Sequence, residues 1–366
     1  MKRTITISGA GPSGLTAAIN LALAGYSVEV YEVNRTAGKR FSNCFQILEN
    51  YTEKEELLTS LNRMNIKVNF FCQPANEIDF YDSKLTRCSL KSREPYGYFI
   101  KRGSDKDTLD QGLVEQASDL GVKIIYATKL NQEKADIDAT GARSTTGISK
   151  EIVFDTNINN IFRVILDNNI TPGGFSYLYV INKKGTIGSA VLRKFSQINS
   201  FTAKAVNRFQ EIEKFEMQSP KEFVSYVDFF IAKSAKNKNT LITGEAAGFQ
   251  DYLFGIGIRF SILSGYLAAK SIIENIDYDN LWKSQLSEKI KMSIVNRFLY
   301  EIGGNIGYTL FNKSAQNSDF KEFGYKLYKP NLFKKFIFPF IKIIWKNYSK
   351  CTHGDNCLWC RGKLEK

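Results

Sequence analysis

The chain has 366 residues, with 50 Lys and Arg against 37 Asp and Glu, a net charge of +13, and a single histidine, His353, near its end. That length predicts two domains with a large core, and the lone tail histidine excludes Ser–His or Cys–His nucleophilic catalysis in the main body. No apolar run reaches the roughly 20 residues that span a bilayer, and Met1-Lys2-Arg3 leads straight into an apolar strand without a leader, so the expected location is cytoplasmic or peripheral on the inner membrane face.

Residues 5–32 supply a buried strand, the turn Gly9-Ala10-Gly11-Pro12-Ser13-Gly14, an alanine-rich helix over 13–24 and a second strand ending in Glu32. A dinucleotide uses every one of these parts. Gly9 permits the tight turn, Gly11 lets backbone approach a pyrophosphate, and Gly14 lets the helix pack closely on the strand. The helix start then points free N–H groups and a positive dipole end at the phosphates. Glu32, 18 residues beyond Gly14, is placed to accept both hydroxyls of a ribose.

Further along, residues 53–64 read as a short helix, followed by strands near 67–71 and 77–81, and residues 98–102 return toward the opening domain. A helix is predicted over 109–120, with Leu109, Leu113 and Ala117 on one face. Residues 122–126 form a strand of the parallel sheet, and 134–139 lead into a turn at Thr140-Gly141. Strands over 162–166 and 174–182 come next; the second turns at Lys183-Lys184-Gly185 and returns over 186–194 as a hairpin. Period-two alternation sets Phe175, Tyr177 and Tyr179 on one face and Ser176, Leu178 and Val180 on the other. After a helix near 201–209, the strand 240–243 ends in Gly244-Glu245-Ala246-Ala247-Gly248, with Gly255-Ile256-Gly257-Ile258 beyond it and a helix from about 257 to 273. This late block repeats the logic of the opening: small residues, free N–H groups and a helix start beside a carboxylate. The remainder is predicted mostly helical.

With both glycine blocks, Glu32 and Ala139-Thr140-Gly141 in view, residues 1–275 resemble the flavoproteins of the geranylgeranyl reductase family, within the p-hydroxybenzoate hydroxylase-like group. The resemblance implies an α/β fold: a Rossmann-type FAD-binding domain with an inserted antiparallel β-sheet substrate domain and a mostly helical C-terminal tail. The FAD domain is expected over 1–50, 99–150 and 236–275, the substrate domain over 51–98 and 151–235, and the helical region over 276–366. It places the adenosine ribose on Glu32, the pyrophosphate on Ala10 to Ser13, the adenine near Leu130, and the flavin edge on Gly255, Gly257 and Ile258. A helix start there can face the N1–C2=O edge and stabilise a reduced, anionic ring. Arg40, Arg102 and Gly141 are further candidate FAD contacts, as are Gly244 and Glu245, the latter standing where the family has Asp against the ribityl chain. The strand 172–179 corresponds to the family's roof over the substrate, without its usual Trp and Pro.

The activity implied is flavin-dependent reduction of a C=C bond in a hydrophobic, isoprenoid-like substrate. Candidate proton donors are Cys44, Tyr177 and Tyr179. The strand at 139–141 lacks the Asp-Gly pair of the hydroxylases, and only one convincing dinucleotide turn is present, so electrons are expected from NAD(P)H, a ferredoxin or a quinol. A monooxygenase on the same fold, a non-redox flavoprotein and a membrane-tethered FAD-binding sensor remain alternatives.

Two features of the tail stand apart. Between Phe323 and Lys350 there are seven lysines and no acid, mixed with large apolar residues, a pattern suited to an anionic membrane surface or to a helix packed on the body. No nucleic-acid motif accompanies the charge, and no nucleic-acid partner is expected. Cys351, His353, Cys357 and Cys360 fall within ten residues, suiting tetrahedral zinc, an iron–sulfur cluster, a redox dithiol or an unliganded reducible tail. Cys44, Cys72 and Cys88 are scattered, as in a reducing compartment.

Overall fold

The computed structural model describes residues 3–347. Thr4–Ser8 lies inside a six-stranded sheet with Ser27–Tyr31 and then Lys123–Ile125 on one side, and Ile137–Asp138, Thr240–Ile242 and Lys236–Asn237 on the other. All neighbours are parallel except the outermost pair. Ile5 and Ile7 have no exposed surface, as expected of a central parallel strand covered on both faces. The strand order reverses at Thr4–Ser8, and such a switch point opens a crevice beyond the carboxyl ends of the strands. Helix Pro12–Leu23 packs against both Leu109–Asp119 and Ile258–Glu274. The second of these contacts is so close that a Cβ at Gly265 would lie 2.1 Å from the Ser13 carbonyl oxygen.

A seven-stranded sheet runs in the order Gln218–Val227, Gly147–Asp155, Lys184–Val191, Phe175–Ile181, Ile161–Ile165, Glu77–Tyr81, Arg87–Lys91. It is antiparallel apart from the Ile161–Ile165/Glu77–Tyr81 contact. Leu178, Val180, Ile152 and Ile187 bury its outer face under helix Ile198–Ile212 through Ala205 and Phe209. Tyr177 and Tyr179 belong to a separate aromatic cluster on the inner face, as the alternation predicts.

Several local expectations differ from the structure. Residues 67–71 are not a strand: Gln116 Nε2 donates to the Lys67 carbonyl and the Lys67 N–H donates to Gln116 Oε1, so a side chain satisfies backbone that a ladder would otherwise pair. The hairpin turns at Asn182-Lys183, both with positive φ, because Ile181 pairs with Lys184. Gly185 instead makes room for the Phe154 ring, whose Cζ would stand 2.3 Å from an added Cβ. Gly97–Arg102 is the centre of a third, antiparallel sheet, with Cys44–Glu49 on one side and Cys72–Ala75 on the other.

The C-terminal region is helical over Tyr278–Gln285, Ser287–Gln316, Phe320–Tyr328 and Leu332–Asn347. Gly304, at φ +48°, kinks the longest of these helices, a conformation that suits glycine. Its first half is fixed by Arg297, which donates to the carbonyls of Leu253 (3.1 Å) and Gly173, and by Tyr300, which donates to the Gly174 carbonyl at 2.7 Å. The helix thereby ties the loop after the last parallel strand to the start of the hairpin.

Candidate functional site

A cavity of about 680 Å³ begins at the carboxyl end of Thr4–Ser8 and runs under the seven-stranded sheet. Its near end is the opening turn. Gly9, at φ +102°, lies where a Cβ would sit 2.4 Å from the Ala139 carbonyl oxygen, and a Cβ on Gly14 would sit 2.1 Å from that of Gly9. A Cβ on Gly11 would meet nothing within 4 Å and would project into open space. Side chains cap neither helix Pro12–Leu23 nor helix Ile258–Glu274. Gly11 to Ser13 and Gly255 to Ile258, at the starts of those helices, both line the cavity. Two positive helix ends thus face one space, an arrangement that suits negative charge.

Glu32 is buried at the same end, its Oε2 accepting the Ala10 N–H at 3.0 Å and its Oε1 accepting the Asn34 N–H at 2.9 Å. Leu130 and Gly141 lie on the wall beside it. At the mouth, Arg40 pairs with Glu245 (3.1 Å) and donates to the Tyr226 carbonyl. The longer Glu side chain therefore spans toward Arg40, while its other oxygen accepts the Asp228 N–H at 3.3 Å. Arg102 is buried in a two-bond pair with Asp110, at 2.9 Å each, and lies 4.3 Å from the Phe41 ring centroid. Gly14 and Gly244 stand behind the wall; a Cβ on Gly244 would lie 2.7 Å from Ser13 Oγ.

Beneath the sheet the cavity becomes apolar. Tyr177 and Tyr179 stack with centroids 4.8 Å apart, and beyond them Ile78, Phe80, Tyr96, Val164 and Phe320 close the far end. Burial pushes both tyrosine phenols well up, so they hold their protons. Cys44, expected among the proton donors, is fully buried in register with Arg102 and is not part of the wall; burial pushes its thiol up as well. The residues Cys351, His353, Cys357 and Cys360 lie outside the described residues, and among the described ones no group of three or more His, Cys, Asp or Glu is placed to hold a metal.

Among the wall residues that sequence does not single out are three with polar groups. Arg297 comes from a helix whose sequence shows no sign of its inward contacts. Tyr96 carries a buried hydroxyl without a partner among the described residues. Glu151 sits in mid-strand, where a lone Glu ordinarily signals a solvated face; the nearby Ser149, two residues away on the same face, was the available clue.

No family model and no curated protein matches the sequence. Solved structures do. A geranylgeranyl bacteriochlorophyll reductase-like protein from Thermoplasma acidophilum superposes with a TM-score of 0.70 at 15% identity, covering 94% of this chain and 99% of that one. A flavin-dependent brominase gives 0.62 at 12% identity, with 95% and 99% covered, and a p-nitrophenol 4-monooxygenase from Pseudomonas putida gives 0.61 at 12%, with 90% and 100% covered. At such identities the likeness is one of fold: the chain has the α/β, Rossmann-type fold of FAD-dependent oxidoreductases.

Proposed function

We propose that this protein is an FAD-dependent oxidoreductase, a reductase that saturates a C=C bond of a hydrophobic, isoprenoid-like substrate. The observation that carries the reading is one continuous cavity joining the Gly9–Gly14 turn, with its two helix N-termini, to an aromatic chamber under the seven-stranded sheet. The residues fit the cofactor: space stands open where Gly11 lacks a Cβ, and a buried acid lies at the ribose position. FAD bound there supplies a hydride donor.

The chain's own groups do the rest. Of Ala10 to Ser13, which line the pyrophosphate position, Gly11 and Ser13 would offer free backbone N–H groups, the Ala10 N–H being held by Glu32 and Pro12 having none, and Glu32 would accept the ribose hydroxyls. Gly255 to Ile258 offer a positive helix end to the ring edge, and Leu130, Gly141, Arg40, Arg102 and Glu245 complete the wall. Phe80, Tyr96, Tyr179 and Phe320 exclude water from an apolar chain. Ile302, Ile306 and Leu310 on one helix are exposed, as are Phe333, Phe336 and Phe340 on the lysine-bearing last helix, and they suit an anionic membrane that delivers a lipid substrate. Among the described residues no helix is long and apolar enough to cross that membrane.

The test is reconstitution with FAD, followed by anaerobic reduction and addition of a polyprenyl substrate. Bound flavin that reoxidises as product gains one H2 per double bond supports the reading. Protein that stays colourless, with an unchanged melting temperature, refutes cofactor binding. Flavin that reoxidises only with oxygen and yields hydroxylated product refutes the reductase.

A further inference from the structure

We propose that Glu151 is the acid of this cavity, holding the proton delivered to the substrate carbon, an assignment that rests on the reductase reading above. In the seven-stranded sheet Tyr177, Gly188 and Glu151 fall in one row across adjacent strands, so their side chains share the inner face. Gly188 is what joins the other two. A Cβ there would lie 2.1 Å from Tyr177 Cζ, so the missing side chain lets the Tyr177 ring lean across the strand, and its hydroxyl reaches Glu151 Oε1 at 3.4 Å.

Ser149 also donates to Oε1, and Ser225 does so at 3.4 Å. Three hydroxyls therefore gather on one oxygen of the carboxyl. The other, Oε2, is buried and has no partner among the described residues, although Glu151 lies on the cavity wall. Only 3% of the residue is exposed. An ionised carboxylate with one bare oxygen in such a place is costly, so the site favours the neutral acid, which holds a proton.

The surrounding groups sharpen the assignment. Burial raises the Glu151 carboxyl to about 7, opposed by hydrogen bonds from Ser149, Ser225 and Tyr177 and by the charge of Arg40 at the mouth. From the facing strand Cys44-Phe-Gln-Ile-Leu-Glu49 the titratable neighbour is Cys44, pushed up by its burial and by Glu151; Tyr177 is pushed up by the same two causes. The adjoining strands place Gly188 and Phe223 opposite it in register. Of these groups, Glu151 alone both holds and releases a proton near neutrality, the property a general acid needs.

The step balances simply. With reduced FAD bound, the ring would supply the hydride to one alkene carbon and end oxidised. The electron pair left on the other carbon would take the proton from Glu151, whose O–H bond breaks with its pair remaining on the carboxylate. The resulting carboxylate keeps its three hydroxyl donors and the nearby Arg40 charge, and water reprotonates it.

The experiment begins on the protein without flavin. Infrared titration should show a protonated carboxyl band that is lost near pH 7 and is absent in Glu151→Gln. With FAD loaded, Glu151→Gln should keep the visible flavin spectrum and the flavin affinity while single-turnover product formation falls at least ~100-fold, in the range of general-acid losses. Tyr177→Phe, which removes one donor to the carboxylate, should move both the band titration and the upper pH limit of turnover upward. A Glu151 that stays ionised to about pH 5, close to an ordinary carboxyl, overturns the assignment, as does wild-type turnover in Glu151→Gln. Failure to bind FAD would sink the reductase reading instead, and the titration would still show whether Glu151 holds the proton.

Discussion

Gly11 and Gly14 stand three residues apart, and the structure assigns opposite consequences to giving each a methyl group. At Gly11 the backbone is extended (φ −84°, ψ 178°), which any residue adopts, and the new Cβ meets nothing within 4 Å. Alanine caps a helix less well than glycine, by about 0.5–1 kcal/mol, but restricts the unfolded chain by about 0.4–1 kcal/mol, so Gly11→Ala should leave stability unchanged. Its methyl projects into the space assigned to the pyrophosphate. Moving the phosphates away by ~1 Å forfeits two charge-assisted hydrogen bonds of ~1.5–3 kcal/mol each, a loss of ~100-fold or more in FAD affinity. Gly14→Ala places its Cβ 2.1 Å from the Gly9 carbonyl oxygen, so helix and strand must part, at a cost of ~1–3 kcal/mol or more. Thermal melts with and without FAD separate the two effects. Saturating flavin at 100 times its Kd stabilises the wild type by ~2.7 kcal/mol, or about 5–10 °C at ~2–4 °C per kcal/mol. Gly11→Ala should melt like the wild type alone and lose that gain; Gly14→Ala should melt ~5 °C or more lower even without flavin. A Gly11→Ala protein with the full flavin-induced rise would refute the reasoning.

Other substitutions probe the framework around the cavity. Arg297→Met removes donors to the buried Leu253 and Gly173 carbonyls, while Glu301 keeps its pair with Arg193, so the cost should be roughly 2–4 kcal/mol in urea unfolding. Burial raises the Asp251 carboxyl from 3.8 to about 6, so its contribution to stability is full at acid pH and declines between those values as pH rises, by about 3 kcal/mol. Asp251→Asn should abolish that part of the slope, and an unchanged pH profile would contradict it. Cys44, fully buried with its thiol pushed up, should resist alkylation until the protein unfolds, as mapped by mass spectrometry of its peptide. The pair Ile306→Glu and Phe336→Glu should lower sedimentation with anionic vesicles by ~10-fold or more while leaving the melting temperature unaltered.

The parts of this molecule legible in its sequence are those whose geometry is settled locally. The span from Gly9 to Glu32 encodes strand, turn, helix and acid by spacing alone, and the Phe175–Tyr179 alternation marks two faces without knowledge of what covers them. The hairpin turn was displaced because Gly185 draws attention as a turn residue, whereas its missing side chain serves the Phe154 ring. Gln218–Val227 is hard to read from sequence because it is a sheet edge with Pro220 in an exposed, polar first half, devices that discourage edge-to-edge pairing. Glu151 is illegible for a different reason. Two of its three hydroxyl donors, Tyr177 and Ser225, come from residues distant in the chain, so only Ser149 leaves a trace beside it.

The parallel sheet also has a history during synthesis. Thr4–Ser8 has Ser27–Tyr31 beside it within moments, but its other neighbour, Ile137–Asp138, emerges more than a hundred residues later, and Thr240–Ile242 as far again. At ~5–20 residues per second a ribosome needs roughly 5–20 s for each interval. Through that time one edge of the earliest strand, with Ile5 and Ile7 on it, is bare and prone to pair with a stranger. A nascent chain of this design has reason to enlist a chaperone before its sheet is whole.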